Sequence, residues 1–269
     1  MPALKDHHST QTTKLLFVGD SGAGKTGALA SLAGAGYKIR ILDLDNGVDV
    51  LHDLLTSKSY PPNAIANVES VVTLTDKMKN VNGKLMVAKA TVWQRAISLL
   101  EDWTDGDIKL GPITSWDTNT VLVIDSLTFL GNAAVQYVVA LNGRLHEDRP
   151  HLADWGIAQN LVENLVRKLY DENVKCNVIV NCHQKLIEGP DQTLKWQIAS
   201  PGKALSPIIP RYFNTVLLAR SSGRGSNIKR EIFTTSQGTI ECKNTAPSKV
   251  KPSYPLETGL ADYFAAVRN

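Results

Sequence analysis

Cysteine is scarce in this 269-residue chain: it has three, Cys176, Cys182 and Cys242. None stands in a C-x-x-C pair and no matching histidine pair accompanies them, so no metal site is built from them. Cys176 and Cys182 border or sit in an apolar run and read as buried free thiols. Long apolar runs are missing too. No stretch approaches the roughly 18 residues that cross a bilayer, so no membrane partner is expected. The first 13 residues are polar with no hydrophobic centre, which predicts no secretory signal and a cytoplasmic location. Charge of one sign is also in short supply. Twenty-nine Lys and Arg against 26 Asp and Glu leave +3, so a nucleic-acid partner has to be argued from local charge. The apolar share of 43% and charged share of 20% are ordinary and exclude bulk disorder. A chain of this length buries a full core, and residues 14–269 read as a single α/β domain behind a flexible tail or short arm at 1–13.

What is present is an alternation of strands and helices. Lys14 to Val18 is a short apolar strand running into a glycine-rich turn, and Thr26 to Ala35 is an Ala/Leu-rich helix ending at Gly34 and Gly36. Tyr37 to Asp43 is a second strand. A short helix over 46–60 is stopped by Pro61-Pro62, and Val68 to Leu74 is a weaker strand. Residues 76–88 read as an inserted loop or hairpin, and 104–119 as a Gly/Pro/Asp-rich loop. Ala90 to Trp103 has a helical apolar face. Thr120 to Asp125 is nearly all β-branched or aliphatic, which suits a parallel strand covered on both sides. Helices are expected to about Leu141 and over 155–171, and a buried strand at Val178–Val180 ends near His183. A long loop over 185–204 and short antiparallel strands at 216–219, 231–234 and 239–242 complete the pattern. It implies three layers around a mostly parallel sheet.

Gly19-Asp20-Ser21-Gly22-Ala23-Gly24-Lys25-Thr26 matches G-x-x-x-x-G-K-[ST], follows a strand and opens a helix. Glycines there turn backbone N–H groups inward around a phosphate, and the helix N-terminus adds positive potential. The pattern puts Lys25 on the β/γ-oxygens of a nucleoside triphosphate and the Thr26 hydroxyl on Mg²⁺. Asp125, at the end of its buried strand, is the carboxylate expected to hold the Mg²⁺ shell. Asp43 and Asp45 close the second strand, where a carboxylate either polarises a water as general base or fixes a turn. His183 and Gln184 end the strand before the long loop, where either residue senses a terminal phosphate or serves the structure alone.

This order of motifs resembles the RecA-type recombinase core over residues 14–250. Ile41-Leu42-Asp43-Leu44-Asp45-Asn46-Gly47-Val48-Asp49 looks like the family's second-strand motif, and Asp45 falls where the family carries a catalytic glutamate, one methylene shorter. Val123-Ile124-Asp125-Ser126-Leu127 is similar to its Walker-B strand, with Gln184 or His183 in place of its glutamine sensor. Glu241-Cys242-Lys243-Asn244-Thr245-Ala246-Pro247 resembles a late strand whose lysines reach a neighbour's ATP. Lys243 matches one of them, and Thr245 replaces the other. The resemblance implies a RecA-like P-loop NTPase core with a small antiparallel extension, an ATPase using ATP and Mg²⁺, and a homo-oligomeric ring or filament with nucleotide at the subunit interface. The sequence of residues 1–269 is not expected to include the family's separate oligomerisation and carboxyl-terminal domains. The compact form is similar to bacteriophage RecA-like proteins of single-strand annealing and recombination, which implies single-stranded DNA, a companion single-strand-binding protein and the host cytoplasm.

The family's DNA loops would fall at about 142–154 and 185–203. The second is rich in positive charge: Lys185, Lys195 and Lys203 are the candidate phosphate contacts, with Trp196 either stacking on a base or anchoring the loop. Arg144 and Arg149 in the first are weaker candidates, since Glu147 and Asp148 lie between them. The alternatives on the same core are a motor or switch ATPase with a protein partner and, further off, a small-molecule kinase.

Overall fold

The computed structural model describes residues 11–57, 59–147, 149–188, 194–202 and 204–268. Lys203 and residues 1–10 of the expected tail lie outside them. Of that tail, Thr12 and Thr13 are buried, with the Thr13 N–H donating to Asn177 Oδ1 at 2.9 Å.

In chain order the elements are β1 (Lys14–Val18), α1 (Lys25–Gly34), β2 (Lys38–Asp43), α2 (Asp49–Thr56) and β3 (Val68–Thr73). A hairpin of β4 (Lys77–Val81) and β5 (Lys84–Lys89) precedes α3 (Val92–Glu101), and a smaller one, β6 (Trp103–Asp105) and β7 (Ile108–Gly111), precedes β8 (Thr120–Asp125). Then come α4 (Leu127–Leu141), α5 (Leu152–Leu169), β9 (Asn177–Cys182), β10 (Gln184–Glu188) and β11 (Leu194–Ile198). The chain continues through α6 (Ile209–Tyr212), β12 (Thr215–Ser222), β13 (Lys229–Phe233), β14 (Ser253–Pro255) and α7 (Leu256–Arg268).

Eight strands form one sheet in the order β14-β13-β12-β1-β9-β8-β2-β3. The six from β12 to β3 are parallel, and β13 and β14 extend the sheet antiparallel. Because side chains alternate across a strand, β1 feeds two cores. Leu16 and Val18 pack with α3, α4 and α5, whereas Leu15 and Phe17 pack with α1, α2 and α7. The result is a three-layer architecture, with a mostly parallel sheet between two layers of helices. In α5, buried Ala158, Val162, Leu165, Val166 and Leu169 recur at helical spacing along one stripe. Leu29 and Leu32 of α1 are fully buried, each contributing roughly 1.5–3 kcal/mol relative to exposure. That burial fixes α1, and hence its N-terminus, against the sheet.

Three expectations change. The stretch 185–204 is no open loop: β10 and β11 pair from Gln184↔Ile198 to Glu188↔Leu194, since alternating apolar residues make a half-buried ribbon. The stretch 104–119 contains β6 and β7 joined at Gly106-Asp107, strands too short to show a period in sequence. Residues 239–242 form no strand, because only the isolated bridges Val216↔Lys243 and Gln237↔Ile240 tie this segment down.

Candidate nucleotide site

Residues 19–24 turn between β1 and α1 at the carboxyl edge of the sheet. Gly24 has φ of 94°, a conformation that side chains disfavour, and a Cβ there would stand 2.5 Å from Leu256 Cδ2. The turn therefore requires glycine through its φ, and a side chain there would also displace the Leu256 methyls that wall the loop. The buried Lys25 ammonium donates to the Gly19 and Asp20 carbonyl oxygens, both at 2.9 Å, which draws it back over the loop. Burial lowers its pKa, against the pull of Asp125, Asp45 and Asp20.

Strand β9 lies between β1 and β8, so the loop and Asp125 meet across it. Thr26 Oγ1 donates to Asp125 Oδ2 at 2.6 Å, and the peptide from Asp125 to Ser126 is cis. Burial pushes the Asp125 carboxyl up, opposed by the Thr26 bond and the charge of Lys25. Its Oδ1 is buried without a hydrogen-bond partner. Mg²⁺ takes one or two carboxylates together with substrate phosphates, so no cluster of three ligands is required, and none occurs among the described residues. Thr26 and the unpaired Asp125 oxygen fit such an ion. Held there beside a nucleotide, Mg²⁺ supplies neutralisation of phosphate charge.

The two aspartates of the second strand part company. Asp43 accepts from Thr73 Oγ1 at 3.0 Å and from the Gly47 N–H at 3.3 Å, which makes it the turn aspartate. Asp45 lines the cavity instead, with Oδ1 buried and unpartnered. A Cβ on Gly47 would sit 3.2 Å from Asp45 Oδ1 and 3.6 Å from Thr26 Oγ1, so this glycine keeps the carboxylate and hydroxyl open to each other. Burial, then the charges of Asp125 and Asp43, raise the Asp45 pKa to about 6. At pH 7 it is mostly ionised yet basic enough to accept a proton.

Of the two sensor candidates, His183 lines the cavity and Gln184 does not. Its ring lies edge-on to Phe129 at 5.9 Å, with Nδ1 3.4 Å from Ser126 Oγ. Burial and the charge of Lys25 lower its pKa, so the imidazole is neutral at pH 7. Lys243 lies elsewhere: it lines a second cavity and donates to the Phe213 carbonyl oxygen at 2.8 Å.

The nucleotide cavity holds about 740 Å³, and part of its wall had no signal in the sequence. Tyr60, Arg230, Leu256 and Glu257 line it. Arg230 Nε donates to the Gly22 carbonyl oxygen at 3.3 Å, and the Tyr60 hydroxyl donates to the Glu257 carbonyl oxygen at 2.6 Å. The sequence had placed Arg230 in a basic surface run, which conceals its contact with the loop. Asn181 escaped notice as well. It faces Asp125 across the β8–β9 ladder, fully buried, close enough for its amide to help hold the Asp125 carboxyl down.

The expected DNA contacts are dispersed. Arg144 Nη2 donates to the fully buried Asp154 at 2.5 Å, a structural commitment that takes it out of a groove-facing role. Arg149 is exposed. In the β10–β11 hairpin, Leu186↔Trp196 and Lys185↔Gln197 are cross-strand pairs, and paired residues share a face. Lys185 and Lys195 therefore lie on one face and Trp196 on the other, its ring half-buried against the core and its backbone N–H donating to Thr239 Oγ1 at 2.7 Å. Trp196 is thus the anchor. Lys185 turns back to the Ser200 and Gly202 carbonyls, at 3.4 and 3.3 Å, while Lys195 is exposed.

The sequence profile of the AAA domain family matches residues 11–246. The chain belongs to that family. This AAA domain protein is accordingly a nucleotide-binding P-loop protein of an ATPase family. No curated protein sequence matches it. Similar solved structures include a KaiC-like protein of Pyrococcus horikoshii, 14% identical with a TM-score of 0.42, covering 90% of this chain and 84% of that one. The RadB recombinase is 17% identical with a TM-score of 0.43, covering 82% of this chain and 79% of its own. The flagellar accessory protein FlaH of Methanocaldococcus jannaschii is 10% identical with a TM-score of 0.43, covering 92% and 87%. Among the described residues, no helix of the AAA domain protein is long and apolar enough to cross a membrane.

Proposed function

We propose that this protein is an ATPase whose nucleotide state controls a grip on single-stranded DNA, in recombination or strand annealing of the bacteriophage type. One observation carries the reading: the cavity and the basic hairpin share a wall. His183 faces the cavity and is followed directly by β10. Its carbonyl oxygen accepts from the Ala199 N–H at 2.7 Å, just past β11. The Thr128 hydroxyl, beside the same cavity, accepts from the His183 N–H at 3.1 Å and donates to the Ala199 carbonyl at 3.0 Å. Both ends of the hairpin are thereby pinned to His183, a residue that lines the cavity. A change at His183 moves the strand that presents Lys195, and by linkage DNA held there feeds back on ATP.

In this reading Asp45 is the general base, with Lys25, Thr26 and Asp125 holding ATP and Mg²⁺. Lys243 lies outside its own cavity and serves a neighbour's, in a homo-oligomeric ring or filament. A cation supplied in trans contributes on the order of 10³–10⁵ in rate where an arginine does so, so the isolated subunit turns over slowly. A single-strand-binding protein is the expected companion. ATPase assays with and without single-stranded DNA, at several salt concentrations, test the reading. Stimulation and a steep loss of binding with salt are expected. Nucleotide-loaded oligomer that binds no DNA at low salt points instead to the motor or switch ATPase with a protein partner. Mixing Lys243→Ala with Lys25→Ala protein should restore part of the activity, and no rescue argues against a shared site.

A further inference from the structure

The β4–β5 hairpin has no part in the site just described, and its composition is unusual. Residues 77–89 contain Lys77, Lys79, Lys84 and Lys89 and no acidic residue. All four lysines are exposed. Asp76, immediately before β4, is committed elsewhere: its Oδ1 accepts from the Thr91 and Val92 N–H groups at 2.7 and 3.1 Å, which ties the root of the hairpin to the start of α3. Among the described residues, no carboxylate forms an ion pair with Lys77, Lys79 or Lys89.

Register orders these charges. Lys77 pairs with Lys89 across a bulge, Lys79 with Met86 and Val81 with Lys84. Lys77, Lys79 and Lys84 thus share one face, with Lys89 beside Lys77. Lys77 and Lys79 are about 6.7 Å apart along the strand. Lys79 and Lys84 are diagonal neighbours at about 7–8 Å. The lysines form a track from root to tip, stepped like neighbouring phosphates on an extended single strand. The opposite face carries Met78 and Leu85, 55% and 74% exposed, which belong to neither core.

This arrangement weakens the hairpin when it stands alone. Like charges directly opposite each other destabilise a strand pair, and a two-stranded ribbon is marginal in water. A polyanion laid along the lysine face removes that penalty. The position suits one. The hairpin leaves the sheet after β3, at the carboxyl edge that also bears the phosphate loop, and the β10–β11 hairpin leaves the same edge after β9. Two strands, β2 and β8, lie between β3 and β9, which separates the two roots by roughly 14 Å.

We infer that the β4–β5 hairpin is a second contact for the phosphate backbone of single-stranded DNA, gripping the strand beside the nucleotide-controlled hairpin. The inference rests on the DNA reading above, and its test separates the two. Binding of a fluorescent oligo-dT to the full-length protein with ATP is measured from about 50 to 200 mM salt for wild type, the Lys77→Ala/Lys79→Ala/Lys89→Ala variant and the matching triple arginine variant. Three lost phosphate contacts lower the log–log salt slope by about 2, so that wild type loses about 15-fold more affinity than the alanine variant across this range. Arginine should restore the wild-type slope and leave thermal melting unchanged, the alanine variant should melt no lower than wild type because it relieves the Lys77–Lys89 repulsion, and DNA-free ATPase should be unchanged in both. Wild-type binding with an unaltered slope in the alanine variant overturns the hairpin assignment and leaves the DNA reading standing. An unaltered slope with a changed oligomeric state by sedimentation assigns the face to a subunit contact instead. Failure of wild type to bind removes both.

Discussion

Replacing Asp154 with alanine removes one acceptor from three donors at once. Its carboxylate receives Arg144 Nη2 at 2.5 Å, the His151 N–H at 2.8 Å and Asn142 Nδ2 at 3.0 Å, and it is fully buried. The Arg144 side chain is only 18% exposed, so the substitution leaves a largely shielded cation with Glu147, at 4.0 Å, as its remaining counter-charge, and the loss falls at the lower end of the range for a broken buried pair. Breaking one side of a buried pair costs about 3–5 kcal/mol, a large share of the roughly 5–15 kcal/mol that holds a domain folded. Arg144→Ala is milder: Asp154 keeps two donors and loses one charge-assisted bond, about 1.5–3 kcal/mol. The double variant should fall short of the sum of the singles by a similar amount, because both remove the same contact. Urea unfolding at constant m-value measures all three. If Arg144→Ala changes stability by less than about 0.5 kcal/mol and instead flattens the salt dependence of DNA binding, Arg144 is a DNA contact and the structural assignment is refuted.

Other outcomes follow from the site. Lys25→Ala should abolish tight ATP binding or turnover, measured by nucleotide titration and phosphate release; normal turnover removes the phosphate assignment. Asp45→Asn should slow hydrolysis while sparing ATP binding, and an unchanged rate excludes Asp45 as the base. Gly24→Ala forces a side chain into φ of 94° and displaces the Leu256 methyls, and should destabilise the fold by about 1–3 kcal/mol and weaken ATP binding; a variant with wild-type melting and affinity contradicts the need for glycine at this φ. Burial lowers the Lys14 pKa to about 8 from 10.5. Between these values the unfolded chain binds the extra proton, so stability rises with pH across that window and is flat below it. Relative to Lys14→Met, wild type should gain up to about 3 kcal/mol from pH 8 to 10.5, and parallel curves from chemical denaturation would argue against a buried charge.

The phosphate loop and Asp125 were legible because their chemistry is local: residues adjacent in sequence act on one ligand. The parallel strands were legible because burial on both faces writes an unbroken apolar run. Asp43 and Asp45 resisted because what separates them is register, with Thr73 thirty residues away taking up one and leaving the other. Trp196 and the lysines beside it misled for a related reason. Neighbours in a ribbon point to opposite sides, so a basic and aromatic cluster in sequence is divided in space. Arg230 and Leu256 left no local mark at all, since their role arises only when β13 and α7 close against a loop more than 200 residues earlier.

That closure has a consequence for biosynthesis. The phosphate loop is translated some 208 residues before Arg230, and Leu256 follows later still. Until β12 and β13 join the sheet and α7 docks on α1, a nascent chain carries the loop sequence without its far wall. Nucleotide binding with the whole cavity wall in place is therefore acquired only after these later segments have emerged, and ATP stabilises the closed cavity over forms that lack its far wall.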